Sequence, residues 1–185
     1  MDGRTKVVDS REAFSGRVFR VRVDTVRIEG TQGRVDVVEH VGSVAILACR
    51  EPGRLVLVRQ YRHPARRALW EIPAGTMEPG EEPAAAAARE LAEETGFIAA
   101  RVVPLYTAWV TPGFCTERMH LFLADGLTAG AQHLDADERI EVGTFTLDQA
   151  WAIAKQGDSA DMKTLLALLW MSAQANGPTP PGDAS

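Results

Sequence analysis

Residues 75–97 read GTMEPGEEPAAAAARELAEETGF, and the reading of this stretch decides the fold. Gly75, Pro79 and Gly80 make its first part a turn-rich loop. Pro83 stands where a helix tolerates proline, at its first position, and Gly96 suits the residue that ends a helix in the left-handed region. Between them Ala84, Ala87, Ala88 and Leu91 recur at helical spacing, so Pro83–Thr95 is expected to be a helix with one apolar side. Its last turns carry Arg89-Glu90-Leu91-Ala92-Glu93-Glu94. Residues three and four apart share a face, which gathers the carboxylates of Glu90, Glu93 and Glu94. Like charges at that spacing destabilise a helix, and acids at its C-terminus also oppose the macrodipole. A hard divalent cation such as Mg2+ or Mn2+, bound through oxygen and sharing its shell with substrate phosphates, would relieve that repulsion. Glutamate-rich helix faces are also common as solvated surfaces. The glycine loop leading into this one favours a platform for a metal and a diphosphate, because glycine lets backbone groups approach a ligand closely.

Outward from the helix, residues 18–28 and 34–41 are β-branched-rich with partial alternation (Val21, Val23; Val35, Val37) around a turn at 29–33, the pattern of a hairpin. Runs at 44–49 and 55–58, broken by Glu51-Pro52-Gly53, read as buried strands, and 69–73 as one more short strand. Residues 102–110 and 120–124 read as strands separated by Thr111-Pro112-Gly113, with a weaker strand at 141–145. Two helices are expected at about 147–156 and 161–171. The tail, with Pro178, Pro180, Pro181 and Gly182, is too poor in apolar residues to pack and is expected to be disordered. Helices and mixed strands without a βαβ rhythm point to a layered α/β or α+β domain.

Composition narrows the partners. The chain has 185 residues, 45% of them hydrophobic, enough for one good core and too few for two comfortable domains. A net charge of -5 supplies no basic field for a nucleic-acid backbone or an anionic membrane. The polar N-terminus lacks a signal-peptide pattern, and no apolar run approaches the roughly 20 residues that span a bilayer. The protein is therefore expected to be soluble and cytoplasmic, with no nucleic-acid or membrane partner. Cys49 and Cys115 have no CxxC spacing; the first reads as a small buried residue and the second as a loop thiol.

Gly75, Glu81, Arg89-Glu90-Leu91, Glu93-Glu94 and Gly96-Phe97 satisfy every fixed position of the pattern GX5EX7REUXEEXGU, where U is aliphatic or aromatic, and the segment resembles a complete Nudix box. The resemblance covers roughly residues 15–172. It implies an α/β fold, a Nudix-type α/β/α sandwich with a mixed sheet and an N-terminal antiparallel hairpin, and metal-dependent hydrolysis of nucleoside diphosphates linked to a second moiety. It further implies metal ligands at Glu90 and Glu94, with Glu81 and Glu93 assisting, and Arg89 orienting the glutamates. The carbonyl of Ala74 is similar to the position that supplies a backbone ligand in the ADP-ribose pyrophosphatase branch. Arg59-Gln60-Tyr61-Arg62, the run from Trp70 through Glu71 to Gly75, and Thr111-Pro112-Gly113 are similar to that branch as well, which implies substrate contacts around Arg62, Glu71, Pro112 and Gly113. Cys115 departs from the small or hydroxylated residue usual at its position. GDP-mannose and other sugar-nucleotide hydrolases share much of the pattern.

The resemblance implies ADP-ribose as substrate, AMP and ribose 5-phosphate as products, and Mg2+ or Mn2+ as cofactor. Water is a poor nucleophile toward an anionic diphosphate, and something must take or orient its proton. Glu138 falls where this branch places a loop glutamate for that purpose, and Asp137 and Glu141 stay open as alternatives. Arg62 could pair with substrate phosphates through its guanidinium or be an ordinary surface arginine. Tyr61 and Trp70 are expected to pack in the core rather than stack on a base. The organisation implied is N-terminal strands over 1–42 that dimerise the chain, a catalytic domain over 43–172 and a disordered tail over 173–185, with a homodimer as the assembly. A nucleotide-sugar sensor that binds without cleaving is the reading from another class; such domains usually show a degraded box or a fused DNA-binding module, and neither is present.

Overall fold

Thr5–Ser15 (β1) forms a strand ahead of the expected hairpin, a feature absent from the sequence expectation. Every residue of β1 is exposed, so nothing imposes the apolar alternation by which a half-buried strand is recognised. It pairs antiparallel with Arg20–Ile28 (β2), which pairs in turn with Thr31–Glu39 (β3) to complete a three-stranded sheet. The computed structural model describes residues 5–51, 53–134, 138–156 and 161–176.

The second sheet is mixed. Ser43–Glu51 (β4) and Arg54–Arg62 (β5) are followed by the short strands Arg67–Glu71 (β6) and Ala74–Thr76 (β7), then by the helix Pro83–Thr95 (α1). Phe97–Ile98 (β8) pairs with Thr128–Ala129 (β11) beside the sheet, and between them run Arg101–Trp109 (β9) and Arg118–Asp125 (β10). Ile140–Thr146 (β12), Leu147–Ala154 (α2) and Met162–Asn176 (α3) complete the described chain. The strand order is β12-β5-β4-β10-β9, with β6 on β5 and β7 on β4; β4 and β10 are parallel and the other pairs antiparallel.

Side chains of a strand alternate between faces, and β4 uses both. Val44, Ile46 and Ala48 join Val56, Phe122 and Ala124 against Ala86, Ala87 and Leu91 of α1. Ala45 and Leu47 join Leu55, Leu57 and Leu121 against Ala150 of α2 and Ala167 and Leu168 of α3. A sheet apolar on both faces needs a helix layer on each, and the result is the α/β/α sandwich. Pro83 occupies the first turn of α1, and Gly96 (φ 70°) closes it in the left-handed region, its N–H donating to Ala92 O at 2.9 Å.

Three expectations are corrected. Helix α3 continues through Asn176, so the expected tail boundary at 173 falls inside a helix. Its end is held where Trp151 Nε1 donates to Ser172 Oγ at 3.0 Å. Tyr61 is exposed at the end of β5 rather than in the core, whereas Trp70 packs edge-on against Phe145 with ring centroids 4.9 Å apart. Gly75 and Thr76, expected to open the turn-rich loop, pair with β4 together with Ala74. Asp137 and the tail beyond 176 lie outside the described residues. No helix among the described residues is long and apolar enough to cross a membrane.

One buried hydrogen bond fastens the layer beneath the sheet to the segment that leads into the glycine loop. Thr164 of α3 is buried, and its Oγ1 accepts from Ile72 N at 3.0 Å. Thr164→Val keeps the shape and strands that N–H without a partner, so urea denaturation should show a loss of about 1–3 kcal/mol. An unchanged midpoint would mean that the amide finds another acceptor.

Candidate active site

The register of β7 on β4 sets Gly75 opposite Val44, at the centre of the sheet. Helix α1 buries Ala86, Ala87 and Leu91 against that sheet, so its acidic face lies along the glycine segment. Gly75 is required here for room. A Cβ at this position would stand 2.0 Å from Glu90 Cδ and 2.2 Å from each carboxylate oxygen, which is no allowed contact. The absent side chain leaves a seat that the Glu90 carboxylate fills.

Arg89 organises the rest. Its Nε and Nη2 donate to the two oxygens of Glu81 at 2.9 and 2.8 Å, and its Nη1 donates to Glu90 at 2.8 Å and Glu93 at 2.9 Å. Nη2 also reaches Thr76 O at 3.4 Å. Glu81 in turn accepts from Glu78 N at 2.9 Å, closing the loop before the helix. The hydrogen bond from Arg89, backed by that amide, holds the Glu81 carboxyl down at about 2. Arg89 is driven in the other direction, chiefly by the bond to Glu81, and its charge is secure.

Glu94 is different. It is 4% exposed, and burial pushes its carboxyl up to about 8, against the hydrogen bond from Ala74 N. That bond is 3.0 Å long and ends on Oε2. Glu90 and Glu138 raise Glu94 further by charge, while Arg62 lowers it. Glu90 is also raised, first by burial, then by Glu93 and Glu138 against the pull of Arg89. The charge of Glu138, from the segment before β12, therefore acts on both inner glutamates of α1.

Among the described residues, no three Asp, Glu, His or Cys side chains converge as a ready-made metal cage. Glu81, Glu90 and Glu93 point to the Arg89 guanidinium instead. The donor set is nonetheless all oxygen, and Glu90, Glu94 and Glu138 repel one another beside the Ala74 segment, which fits a hard divalent cation.

The remaining sequence-derived candidates divide into two groups. Arg62 and Glu71 meet each other, with Arg62 Nε 2.8 Å and Nη2 2.7 Å from Glu71 Oε2. Glu71 is buried and is bound on its other oxygen by Lys163, at 3.2 Å, so it faces two cations rather than solvent. Pro112 and Gly113 are exposed in a loop tied to the N-terminal sheet, where Val38 N donates to Phe114 O at 2.7 Å and Thr116 N to Val38 O at 2.9 Å. Glu141 is exposed and pairs with Arg59 at 3.3 Å. Sequence reading did not find Lys163, a lysine opening an otherwise apolar helix. It also missed Gln132, whose Nε2 donates to Glu94 O at 2.6 Å. With His133 N on Glu93 O at 3.0 Å, Gln132 satisfies carbonyls that the end of α1 leaves open.

Residues 39–169 match the NUDIX domain. The chain is 37% identical over 172 residues to the methanol dehydrogenase activator of Bacillus methanolicus, covering 91% of this chain and 93% of that protein. It is 37% identical over 169 residues to the ADP-ribose pyrophosphatase of Bacillus subtilis (strain 168), covering 90% and 91%. The crystal structure of an ADP compounds hydrolase, 21% identical, superposes with a TM-score of 0.79 over 92% of this chain and 96% of that one, which shows the shared fold.

The buried Glu94 carboxyl sets a pH dependence for the metal-free protein. Its folded value, about 8, lies above its ordinary 4.5. Between these values the unfolded chain has released the proton and the folded chain keeps it, so stability is full below 4.5 and falls as pH rises through 8. Glu81, held at about 2, titrates below that window. Melts in chelator should show Tm falling from about pH 5 to about pH 8, and Glu94→Gln should flatten the slope. Equal slopes in both proteins would remove Glu94 as its source.

Proposed function

Because the chain belongs to the Nudix family of hydrolases, we propose that it cleaves the diphosphate of ADP-ribose to AMP and ribose 5-phosphate, using Mg2+ or Mn2+ bound by the glutamates of α1. The observation that carries this reading is the seating of two carboxylates of the helix beside the glycine segment, Glu90 against Gly75 and Glu94 on Ala74 N; Glu138, remote in sequence, adds its charge to both. Glu141 faces away toward Arg59, which favours Glu138 over it as the group that takes or orients the proton of the attacking water.

Glu90 and Glu94 would hold the metal, with Glu81 and the Ala74 carbonyl completing the oxygen set, and Glu93 stands at its outer edge. Bound there, a divalent cation supplies charge neutralisation of the diphosphate and lowers the pKa of a coordinated water. Arg89 keeps Glu81, Glu90 and Glu93 in place against their mutual repulsion. Arg62, partly exposed at the end of β5, offers a guanidinium to the substrate phosphates. Glu71 serves that role by holding Arg62, and the Pro112-Gly113 loop would contact the rest of the nucleotide. The ADP-ribose assignment is supported by 37% identity to an ADP-ribose pyrophosphatase over nine-tenths of the chain, together with the Arg59–Arg62 and Thr111–Gly113 segments.

We assign residues 43–172 to catalysis and 1–42 to homodimer formation. In support, β1 is exposed throughout, and Val7, Val8, Phe14, Val18 and Phe19 present apolar surface on this sheet and the turn beside it. Exposed large apolar side chains gathered in one segment are a feature of interaction surfaces.

Two measurements test the reading. Glu138→Gln should lower kcat by about 100-fold with a much smaller change in KM, while Asp137→Asn and Glu141→Gln remain close to wild type; a crippled control beside an active Glu138→Gln would move the base elsewhere. A panel of ADP-ribose, GDP-mannose, UDP-glucose, NADH, diadenosine polyphosphates and a nucleoside triphosphate should be separated by orders of magnitude in kcat/KM. ADP-ribose should lead and AMP accumulate. Preference for GDP-mannose would keep the chemistry and change the substrate, and binding without cleavage under either metal would make the protein a sensor.

A further inference from the structure

Glu71 is a buried carboxylate whose two oxygens are divided between two cations. Lys163 Nζ lies 3.2 Å from Oε1. Arg62 brings both Nε, at 2.8 Å, and Nη2, at 2.7 Å, to Oε2. A guanidinium that meets a carboxylate with both oxygens open takes the forked arrangement, one N–H to each oxygen. Here the Lys163 ammonium lies on Oε1 and competes with that arrangement. Arg62 is therefore turned so that two of its nitrogens share one oxygen, and Nη1 has no protein acceptor among the described residues. The side chain is 37% exposed.

We propose that Lys163 is a positioning residue for substrate binding: by holding Oε1 of Glu71 it fixes Arg62 in the orientation that presents Nη1 to a phosphoryl oxygen of the substrate. The ammonium is itself confined. Its side chain is 11% exposed and it also pairs with Asp161. Asp161 Oδ1 accepts from Thr164 N at 3.0 Å, and Thr164 Oγ1 accepts from Ile72 N at 3.0 Å. The first turn of α3 is thus fixed to Glu71-Ile72 through side chain and backbone together, and the position of Lys163 relative to Glu71 follows from that attachment. Without Lys163, Arg62 would rotate to take both oxygens of Glu71 and draw its free donor away from the phosphate. The inference rests on the reading of Arg62 as a phosphate-binding residue, and it assigns a role in that binding to a helix on the opposite face of the sheet from α1.

The test is a double-mutant cycle with ADP-ribose and Mg2+. Lys163→Met should raise KM about tenfold with kcat within about twofold of wild type, the loss expected for one charge-assisted hydrogen bond. Lys163→Arg, which keeps the charge, should stay near wild type. Arg62→Ala should raise KM at least as much, and adding Lys163→Met to it should cost nothing more, because the residue acts only through Arg62. Lys163→Gln takes the place of Lys163→Met if the latter does not fold. A KM unchanged in Lys163→Met beside a raised KM in Arg62→Ala overturns the proposal and leaves the phosphate reading standing. The same penalty for Lys163→Met in both backgrounds also overturns it, since that is the signature of a purely structural role. An unchanged KM in Arg62→Ala removes the phosphate reading and the proposal with it.

Discussion

Glu90, Glu93 and Glu94 crowd the last turns of a helix with Glu81 beside them, and in an isolated helix the repulsion among those three would be destabilising. What allows them to stand there in a folded chain is the Arg89 guanidinium, which donates to Glu81, Glu90 and Glu93 at once. A planar cation with five donors can serve several carboxylates, which a lysine ammonium does with less geometric control. The arrangement does not neutralise the site. Arg89 supplies one positive charge to Glu81, Glu90 and Glu93, so the site keeps a surplus of negative charge that Arg62 only partly offsets at Glu94. Burial favours the protonated state at Glu94, and that surplus adds to it.

The same electrostatic arrangement depends on close packing beneath it. Glu90 can lie against the backbone only because position 75 has no side chain, and Gly75 is fixed because β7 is paired to the centre of the sheet. The sheet is rigid because β4 is buried on both faces between two apolar clusters. A displacement of α1 would be felt at Glu90, which lies against Gly75, and at Glu94, which accepts from Ala74 N. Helix α3 contributes from the other face, through Thr164 on Ile72 and Lys163 on Glu71. Both helix layers therefore bear on the glycine segment, one by placing carboxylates on it and the other by holding the strand that enters it.

The N-terminal sheet is attached to this core through β3. Val38 exchanges backbone hydrogen bonds with Phe114 and Thr116, and His40 N donates to Thr116 Oγ1 at 2.9 Å. Ser43, at the start of β4, donates to Glu117 at 2.7 Å. The loop that carries Pro112 and Gly113 is thereby shared between the two sheets. Any force that shifts the N-terminal strands would reach that loop by way of bonded backbone, whereas the carboxylate helix has its own separate attachment to β4 and β7.

The sequence by itself determined the elements whose signals are local. The box helix shows in its alanine spacing, with proline at one end and glycine at the other. The central strands show in unbroken apolar runs, and the carboxylate pattern shows in a motif that lies within a single loop and helix. These are readable because the interacting residues are a few positions apart and the chain's own geometry brings them together. Tertiary structure alone decided the rest. Strand β1 has no buried side and so leaves no periodicity to read. Glu90, Glu93 and Glu94 look alike in the sequence, but only the packing of α1 on the sheet buries Glu94, seats Glu90 on Gly75 and leaves Glu93 outside. Glu71, a substrate-contact candidate by resemblance, is instead buried on β6 between Arg62 and Lys163, and the lysine comes from a helix far along the chain that no local rule links to it. The reason is common to all of these: burial and charge at a site are sums over neighbours from distant segments, and no periodicity along the chain encodes which segments those will be.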